Sequence, residues 1–257
     1  MTESKTAIYP SLAGRGVFIT GGATGIGAAF VEAFVRNGAN VAFVDIDDEH
    51  AQELVKRLAA EHGRTVWYRH TDVTIPAELE AAMRDASEAL GGLHTLINNA
   101  ACDTRHDVES FGPDDWRKCM SLNLDAAYVA SRAAFAEMKA RRKGAIINMS
   151  SINAPLGLPG MPGYVTAKAG LIGMTKALAH ELGEYEVRVN AILPGWVATD
   201  RQLAEWLTPE RESEWMKQVA LKRRLVASDV ANLAVSLAAD DSDMITGQSL
   251  VIDAGRT

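Results

Sequence analysis

Short apolar runs recur along the chain, separated by longer stretches whose apolar residues follow a helical period. The runs are VFIT (17–20), VAFVD (41–45), TVWYRH (65–70), LHTLIN (93–98), GAIINMS (144–150), VRVNAIL (187–193) and SLVID (249–253). Several are apolar at successive positions, which suits strands covered by helices on both faces; strands with one wet face would alternate strictly. The spacing predicts helices over 26–37, stopped by Asn37-Gly38, and over 77–90, opened after Pro76 and closed by Gly91-Gly92. Strand and helix alternate almost throughout, so the expected fold is α/β and doubly wound, with a seven-stranded parallel sheet and helices on both faces.

Two segments break the alternation. INAPLGLPGMPG (152–163) reads as a Gly/Pro-rich loop, and about 194–217, PGWVATDRQLAEWLTPERESEWMK, reads as a helical insertion. Both follow strands, and ligands of doubly wound sheets bind beyond the carboxyl ends of strands, so both are expected to cover a substrate.

The 257 residues, 47% hydrophobic and 23% charged, suit one domain spanning 1–257. A formal net charge of −7, with basic residues scattered apart from KARRKG (139–144), argues against nucleic acid and anionic membrane as partners. The N-terminal segment MTESKTAIYPSLAGRG lacks a basic stretch followed by an apolar core, and no apolar run is long enough to span a bilayer, so a soluble, cytoplasmic protein is expected. Cys102 and Cys119 are expected to be reduced thiols, and the spacing of the six histidines and two cysteines points to no metal site.

TGGATGIG (20–27) follows the first strand and leads into a helix. Gly21, Gly25 and Gly27 would let the turn tighten and a diphosphate approach the backbone, beside the positive end of the helix dipole. Asp45 closes the second strand 18 residues past Gly27, close to the spacing at which a carboxylate meets the ribose hydroxyls of NAD. It would repel a ribose phosphate, and Ala23 and Thr24 stand where a cation could have paired with one, so NAD is favoured over NADP. Starting a loop or capping the helix near 48 would also explain Asp45. Asp72-Val73 follows the third strand at the level of an adenine, and NNAA (98–101) follows the fourth, although turn formation alone would explain either.

In GYVTAKAG (163–170), Tyr164 and Lys168 lie one helical turn apart, on a face continued by Leu171, Thr175, Leu178 and Leu182. A lysine on this mainly apolar stripe is poorly placed for solvent. A phenol ionises near pH ~10, and a buried cation a few ångströms away is expected to lower that value, making Tyr164 a proton acceptor or donor near neutrality.

In their order along the chain, TGGATGIG, the acidic end of the second strand, Asp72, NNAA, SLNLD (121–125), a serine after the fifth strand, Y-x-x-x-K and PGWVAT (194–199) resemble the classical short-chain dehydrogenases/reductases, a family with the Rossmann-type fold. The resemblance implies a catalytic tetrad of Asn123, Ser151, Tyr164 and Lys168. In it the tyrosine exchanges a proton with the substrate oxygen and the serine hydrogen-bonds that oxygen. The lysine lowers the phenol pKa and holds the nicotinamide ribose, and the asparagine supports a water relay. Ser151, 13 residues before Tyr164, matches the family spacing better than Ser150. The cofactor-binding set implied is Gly21, Thr24, Gly25, Ile26, Gly27, Asp45, Asp72, Val73, Asn99, Ala100, Ala101, Tyr164, Lys168, Pro194, Gly195, Val197 and Thr199. Ala101 departs from the family's usual glycine, and its methyl is expected to crowd the backbone near the cofactor.

IYPSL (8–12), NNAACDTRH (98–106) and RQLAEWLTPE (201–210) look like the bacterial pentose dehydrogenases of this family, NAD-dependent D-xylose 1-dehydrogenases and their sugar-oxidising relatives. A sugar site needs directional hydrogen bonds and a flat apolar surface. Asn153, Trp196 and Gln202, with Arg105 and His106, could supply them beside Ser151 and Tyr164, although a surface role would serve each equally well. The expected reaction is oxidation of an aldose, a pentose or 6-deoxyhexose, at C1 to the lactone. The runner-up is 3-oxoacyl thioester reduction or oxidation of a steroid-like secondary alcohol, and a non-catalytic nucleotide sensor is the reading from another class. Relatives imply a homotetramer that pairs helices at about 114–141 and 164–182.

Overall fold

The computed structural model describes residues 6–257, so the start of the N-terminal segment read for a leader lies outside the described residues. The seven strands are β1 (Gly16–Thr20), β2 (Asn40–Asp45), β3 (Trp67–His70), β4 (Leu93–Asn98), β5 (Gly144–Met149), β6 (Val187–Pro194) and β7 (Ser249–Ile252). They form one parallel sheet in the order β3-β2-β1-β4-β5-β6-β7. Both chain directions of winding start at β1, and the crevice between β1 and β4 is the topological switch point at which such sheets bind ligands.

Alternate residues of each strand feed different cores. Val17 and Ile19 of β1, with Val41 and Phe43 of β2, pack under α1 (Gly25–Arg36), α2 (Asp48–His62) and, farther along, α10 (Ala227–Ala238). Phe18, Ala42 and Val44 face the other way, toward α3 (Pro76–Leu90), α5 (Ala126–Arg141) and α7 (Pro162–Leu182). Burial on both faces is the reason these runs lack polar alternation. Helix starts follow local chemistry: Pro76 and Pro162 occupy first-turn positions where a missing N–H costs nothing, and Gly63 and Gly91 end α2 and α3 in left-handed geometry.

Two features refine the expected layout. The helical run expected over about 114–141 is α4 (Pro113–Met120) and α5 joined through a π-helical turn, Ser121–Asp125, that holds Asn123. The Gly/Pro-rich loop contains a single helical turn, α6 (Asn153–Leu156), and the insertion folds as α8 (Asp200–Glu205) and α9 (Pro209–Gln218). Among the described residues, no helix is long and apolar enough to cross a membrane, and no cluster of His, Cys, Asp or Glu is arranged to hold a metal ion. Cys102 and Cys119 are free thiols.

Candidate active site

TGGATGIG forms the turn from β1 into α1, at the carboxyl edge of the sheet. Gly25 has φ +56°, and a Cβ on Gly27 would stand 1.8 Å from the Gly21 carbonyl oxygen, so both positions need glycine. The Thr24 side chain makes no capping bond. The first-turn N–H groups of Gly25, Ile26 and Gly27 therefore stay turned toward the sheet edge. The turn is braced from β4: Asn99 Nδ2 donates to the carbonyls of Thr20 (3.1 Å) and Gly21 (2.7 Å), while the amides of Asn99 and Ala100 donate to Thr20 Oγ1. Asp45 braces it from β2, Oδ2 accepting from the Ala23 amide at 2.9 Å and Oδ1 from the amides of Ile46 and Asp47. The carboxylate thus opens a loop, as the simpler reading expects, and also stands against the glycine turn. Asp72 accepts from the Thr74 amide and hydroxyl (2.9 and 2.7 Å) in a tight turn, and Val73 is buried.

Ser151, Tyr164 and Lys168 converge beyond β5. The two adjacent serines divide the work: Ser150 is buried and donates to the Lys168 carbonyl at 2.7 Å, whereas Ser151 keeps its hydroxyl beside Tyr164 and accepts from the Asn153 amide at 3.1 Å. Lys168 is 2% exposed, its ammonium donating to the Met149 carbonyl at 2.7 Å and standing 5.4 Å from the Tyr164 ring centroid. Asn123 spends its carboxamide on the protein, Oδ1 accepting from the Cys102 amide and Nδ2 donating to the Cys119 carbonyl, both at 3.1 Å. It pins the loop after β4 against α4.

A cavity of roughly 420 Å³ opens above these groups. Ile26, Asn99, Ala101, Pro194, Gly195, Val197 and Thr199 of the expected cofactor set line it, together with Ser151, Tyr164 and Lys168. Gly21, Thr24, Gly25, Gly27, Asp45, Asp72, Val73 and Ala100 lie outside its wall, along the sheet edge toward β2 and β3. Ala101 is exposed and is not among the residues with positive φ, so its backbone accepts the methyl without strain. Of the expected substrate groups, Arg105, Asn153, Trp196 and Gln202 line the cavity. His106 does not. Its ring stacks on Phe111 at 3.6 Å, Nε2 accepts from the Gly163 amide (3.1 Å) and Nδ1 bonds the Thr104 carbonyl, so both nitrogens are committed to holding the loop.

The insertion supplies the opposite wall through Gln202, Arg211, Glu214 and Trp215. Trp196 and Trp215 meet edge to face, centroids 5.5 Å apart and planes at 85°. Trp196 Nε1 donates to Gln202 Oε1 at 2.7 Å, and Gln202 Nε2 donates to Asp103 Oδ2 at 2.9 Å. Sequence reasoning missed Asp103 and Trp215. A lone acid in an irregular loop and a tryptophan in a polar helix carry no spacing signal, and only folding brings them to Tyr164.

The family described as enoyl-(acyl carrier protein) reductase matches residues 21–257. A probable galactose dehydrogenase of Rhizobium meliloti is 42% identical over 96% of each chain, and a D-xylose 1-dehydrogenase of Caulobacter vibrioides is 42% identical over 97% of this chain and 98% of its own. The chain is a short-chain dehydrogenase/reductase. A solved structure described as a putative short-chain alcohol dehydrogenase from Sinorhizobium meliloti superposes with a TM-score of 0.91 at 31% identity, covering 96% of this chain and 97% of that one. The short-chain dehydrogenase/reductase family uses NAD(P), and this member is an oxidoreductase acting on a CH–OH group.

The electrostatics of this short-chain dehydrogenase/reductase correct one expectation. Burial pushes the Tyr164 phenol above its ordinary value, Asp103 adds to the rise, and the Ser151 hydroxyl opposes it. Lys168, expected to depress the phenol, is itself pulled down to about 8 by burial, with Asp103 and Cys119 opposing. Loss of solvation penalises either ion more than the neighbouring group compensates.

Proposed function

We propose that this enzyme oxidises an aldose at its anomeric carbon, with NAD as acceptor, to the aldonolactone. One observation carries the reading: a single cavity sets Ser151, Tyr164 and Lys168 against a wall of crossed indoles and amide groups, Trp196, Trp215, Asn153 and Gln202. Indole faces suit the C–H side of a sugar ring, and the amides suit its hydroxyls. The similarity to sugar dehydrogenases on both sides of the pentose/hexose divide supports the same substrate class.

The residues fit a dinucleotide. The cradle at Gly25 and Gly27 would be filled by a Cβ, and the uncapped N-terminus of α1 offers N–H groups to a diphosphate. Gly21, Thr24, Gly25, Ile26 and Gly27 would hold the phosphates, Asp45 the adenosine ribose, and Asp72 and Val73 the adenine. Asn99, Ala100 and Ala101, with Pro194, Gly195, Val197 and Thr199, would border the nicotinamide half, whose ribose Lys168 would hold. Bound NAD would supply the acceptor for the C1 hydride. Tyr164, in its phenolate form, takes the proton of the C1 hydroxyl, Ser151 donates to that oxygen as charge develops on it, and Lys168 holds the positive charge beneath both. Asn123 fixes the loop that closes the site.

NADH formation with a panel of pentoses, 6-deoxyhexoses and hexoses tests the reading. Turnover of at least one class is expected; silence on every sugar would reject it.

A homotetramer is part of the same proposal. Ala169 and Gly173 lie exposed on the outer side of α7, with open space where a Gly173 Cβ would point, and Tyr128 of α5 is 52% exposed, so both helices present faces for close packing. Sedimentation at four times the chain mass is expected, and a monomer would remove it.

A further inference from the structure

Asp103 stands in the stretch between β4 and α4, which has no regular secondary structure before 107, yet its neighbours are fixed one after another. The Cys102 amide donates to Asn123 Oδ1 (3.1 Å), the His106 amide donates to the Gly160 carbonyl (2.9 Å), and His106 Nε2 accepts from the Gly163 amide (3.1 Å). The Asp103 carboxylate is held in turn from the insertion, Oδ2 accepting from Gln202 Nε2 (2.9 Å) and Oδ1 standing 3.4 Å from Arg201 Nη1. Its side chain remains 28% exposed and forms part of the cavity wall with Ser151 and Tyr164.

That placement is unfavourable for the proton acceptor. Asp103 is the largest charge acting on Tyr164 and the largest acting on Lys168. It raises the phenol and so opposes formation of the base that oxidation needs. A carboxylate that served only to pair with Arg201 could do so outside the cavity, as Glu205 does. A carboxylate inside it offers about four acceptor positions, of which Gln202 takes one and Arg201 approaches another. The remaining ones belong to a side chain that lines the cavity a substrate would fill.

We propose that Asp103 is a specificity-determining residue that accepts a hydrogen bond from a ring hydroxyl other than the one oxidised, with Gln202 and Arg201 fixing its orientation. The assignment rests on the sugar reading above and names the side chain that distinguishes a polyhydroxylated substrate from a simple secondary alcohol. A half-buried carboxylate that loses its donor forfeits a charge-assisted hydrogen bond, so discrimination by this group would be large.

The test is kcat/KM for an oxidised aldopentose and its 2-, 3- and 4-deoxy analogues, measured with the wild type, Asp103→Asn and Asp103→Ala. In the wild type, removal of one particular hydroxyl is expected to lower kcat/KM by about 100-fold or more. That penalty is expected to shrink to about tenfold in Asp103→Asn and to a few-fold in Asp103→Ala, while penalties at the other ring positions stay unchanged. Asp103→Asn keeps an acceptor for Gln202, so it tests the assignment even if Asp103→Ala folds poorly. Equal losses on every analogue in wild type and variants would show a structural role and overturn the assignment, leaving the sugar reading intact; a wild type that oxidises no sugar would overturn both.

Discussion

The Lys168 ammonium stands 5.4 Å from the centroid of the Tyr164 ring and donates to the Met149 carbonyl at 2.7 Å. The pair is therefore a half-buried acid on the cavity wall beside a buried cation, anchored through the lysine. Burial raises the phenol and lowers the ammonium to about 8, so the protonated phenol dominates at neutrality. Oxidation consumes a proton acceptor, and the fraction of phenolate grows with pH. The rate of sugar oxidation is expected to climb by up to about tenfold per pH unit from pH ~6, and to bend near pH ~8, where Lys168 begins to lose its charge. Reduction of the lactone should show the opposite slope. A flat oxidation profile across this range would contradict the assignment of Tyr164 as base.

Tyr164→Phe removes the one group able to take the hydroxyl proton while keeping the aromatic ring beside Lys168. Turnover is expected to fall by about 10²–10⁴-fold with the thermal transition unchanged. Ser151→Ala should cost about 10²-fold, because it removes a donor to the developing oxyanion and leaves the base in place. Steady-state kinetics beside a melting curve separates both from misfolding. Full turnover by Tyr164→Phe would sink the mechanism.

Strands burying both faces, such as β1, β5 and β6, print themselves as continuous apolar runs, and with the half-exposed runs of β3 and β7 they made a doubly wound sheet of seven strands legible before folding. The Tyr164 and Lys168 stripe was legible for the same reason, since Lys168, Leu171, Thr175 and Leu182 are all buried. What stayed hidden depends on contacts across the chain. Spacing to Tyr164 favours Ser151 over Ser150, but the work Ser150 does, spending its hydroxyl on the Lys168 carbonyl, leaves no trace in the sequence. His106 reads as a polar candidate for the site until both ring nitrogens are found occupied. The π-helical turn at Asn123 leaves no periodic trace, because one inserted residue shifts the phase of a pattern that the helix on either side continues. The sign of the Tyr164 shift was also hidden: it is set by burial and by Asp103, which is 61 positions away in sequence.

Cofactor choice should turn on Asp45. Its carboxylate accepts a hydrogen bond from the Ala23 amide of the glycine turn and would repel a ribose phosphate placed against it. Asp45→Ser keeps an oxygen for that turn and removes the charge. The ratio of kcat/KM with NAD to that with NADP is expected to fall by about 10- to 100-fold, consistent with one charge–charge contact in a partly exposed site. Measuring both cofactors with the same sugar checks it, and an unchanged ratio would place the discriminating charge elsewhere.

Far from the cavity, Arg188 closes the end of α10. It is 9% exposed, Nη1 donating to the Leu237 carbonyl at 2.6 Å and Nη2 to the Ala239 carbonyl at 3.3 Å, with Asp243 at 3.9 Å from Nε. Burial lowers its pKa, but a guanidinium stays charged throughout the working range, so the desolvation is met by the two carbonyls at a helix C-terminus, where the dipole favours a cation. Arg188→Leu would remove the guanidinium donor from both carbonyls, of which Ala239 keeps only the Ser242 amide at 3.1 Å. The expected cost is about 2–4 kcal/mol, or a fall of roughly 5–15 °C in the thermal midpoint, with activity per folded molecule at 25 °C unchanged. Arg188→Lys should recover part of the loss, since an ammonium on a shorter stem reaches one carbonyl but cannot fork between two. Equal midpoints for wild type and Arg188→Leu would show that water satisfies those carbonyls and that the guanidinium contributes only bulk.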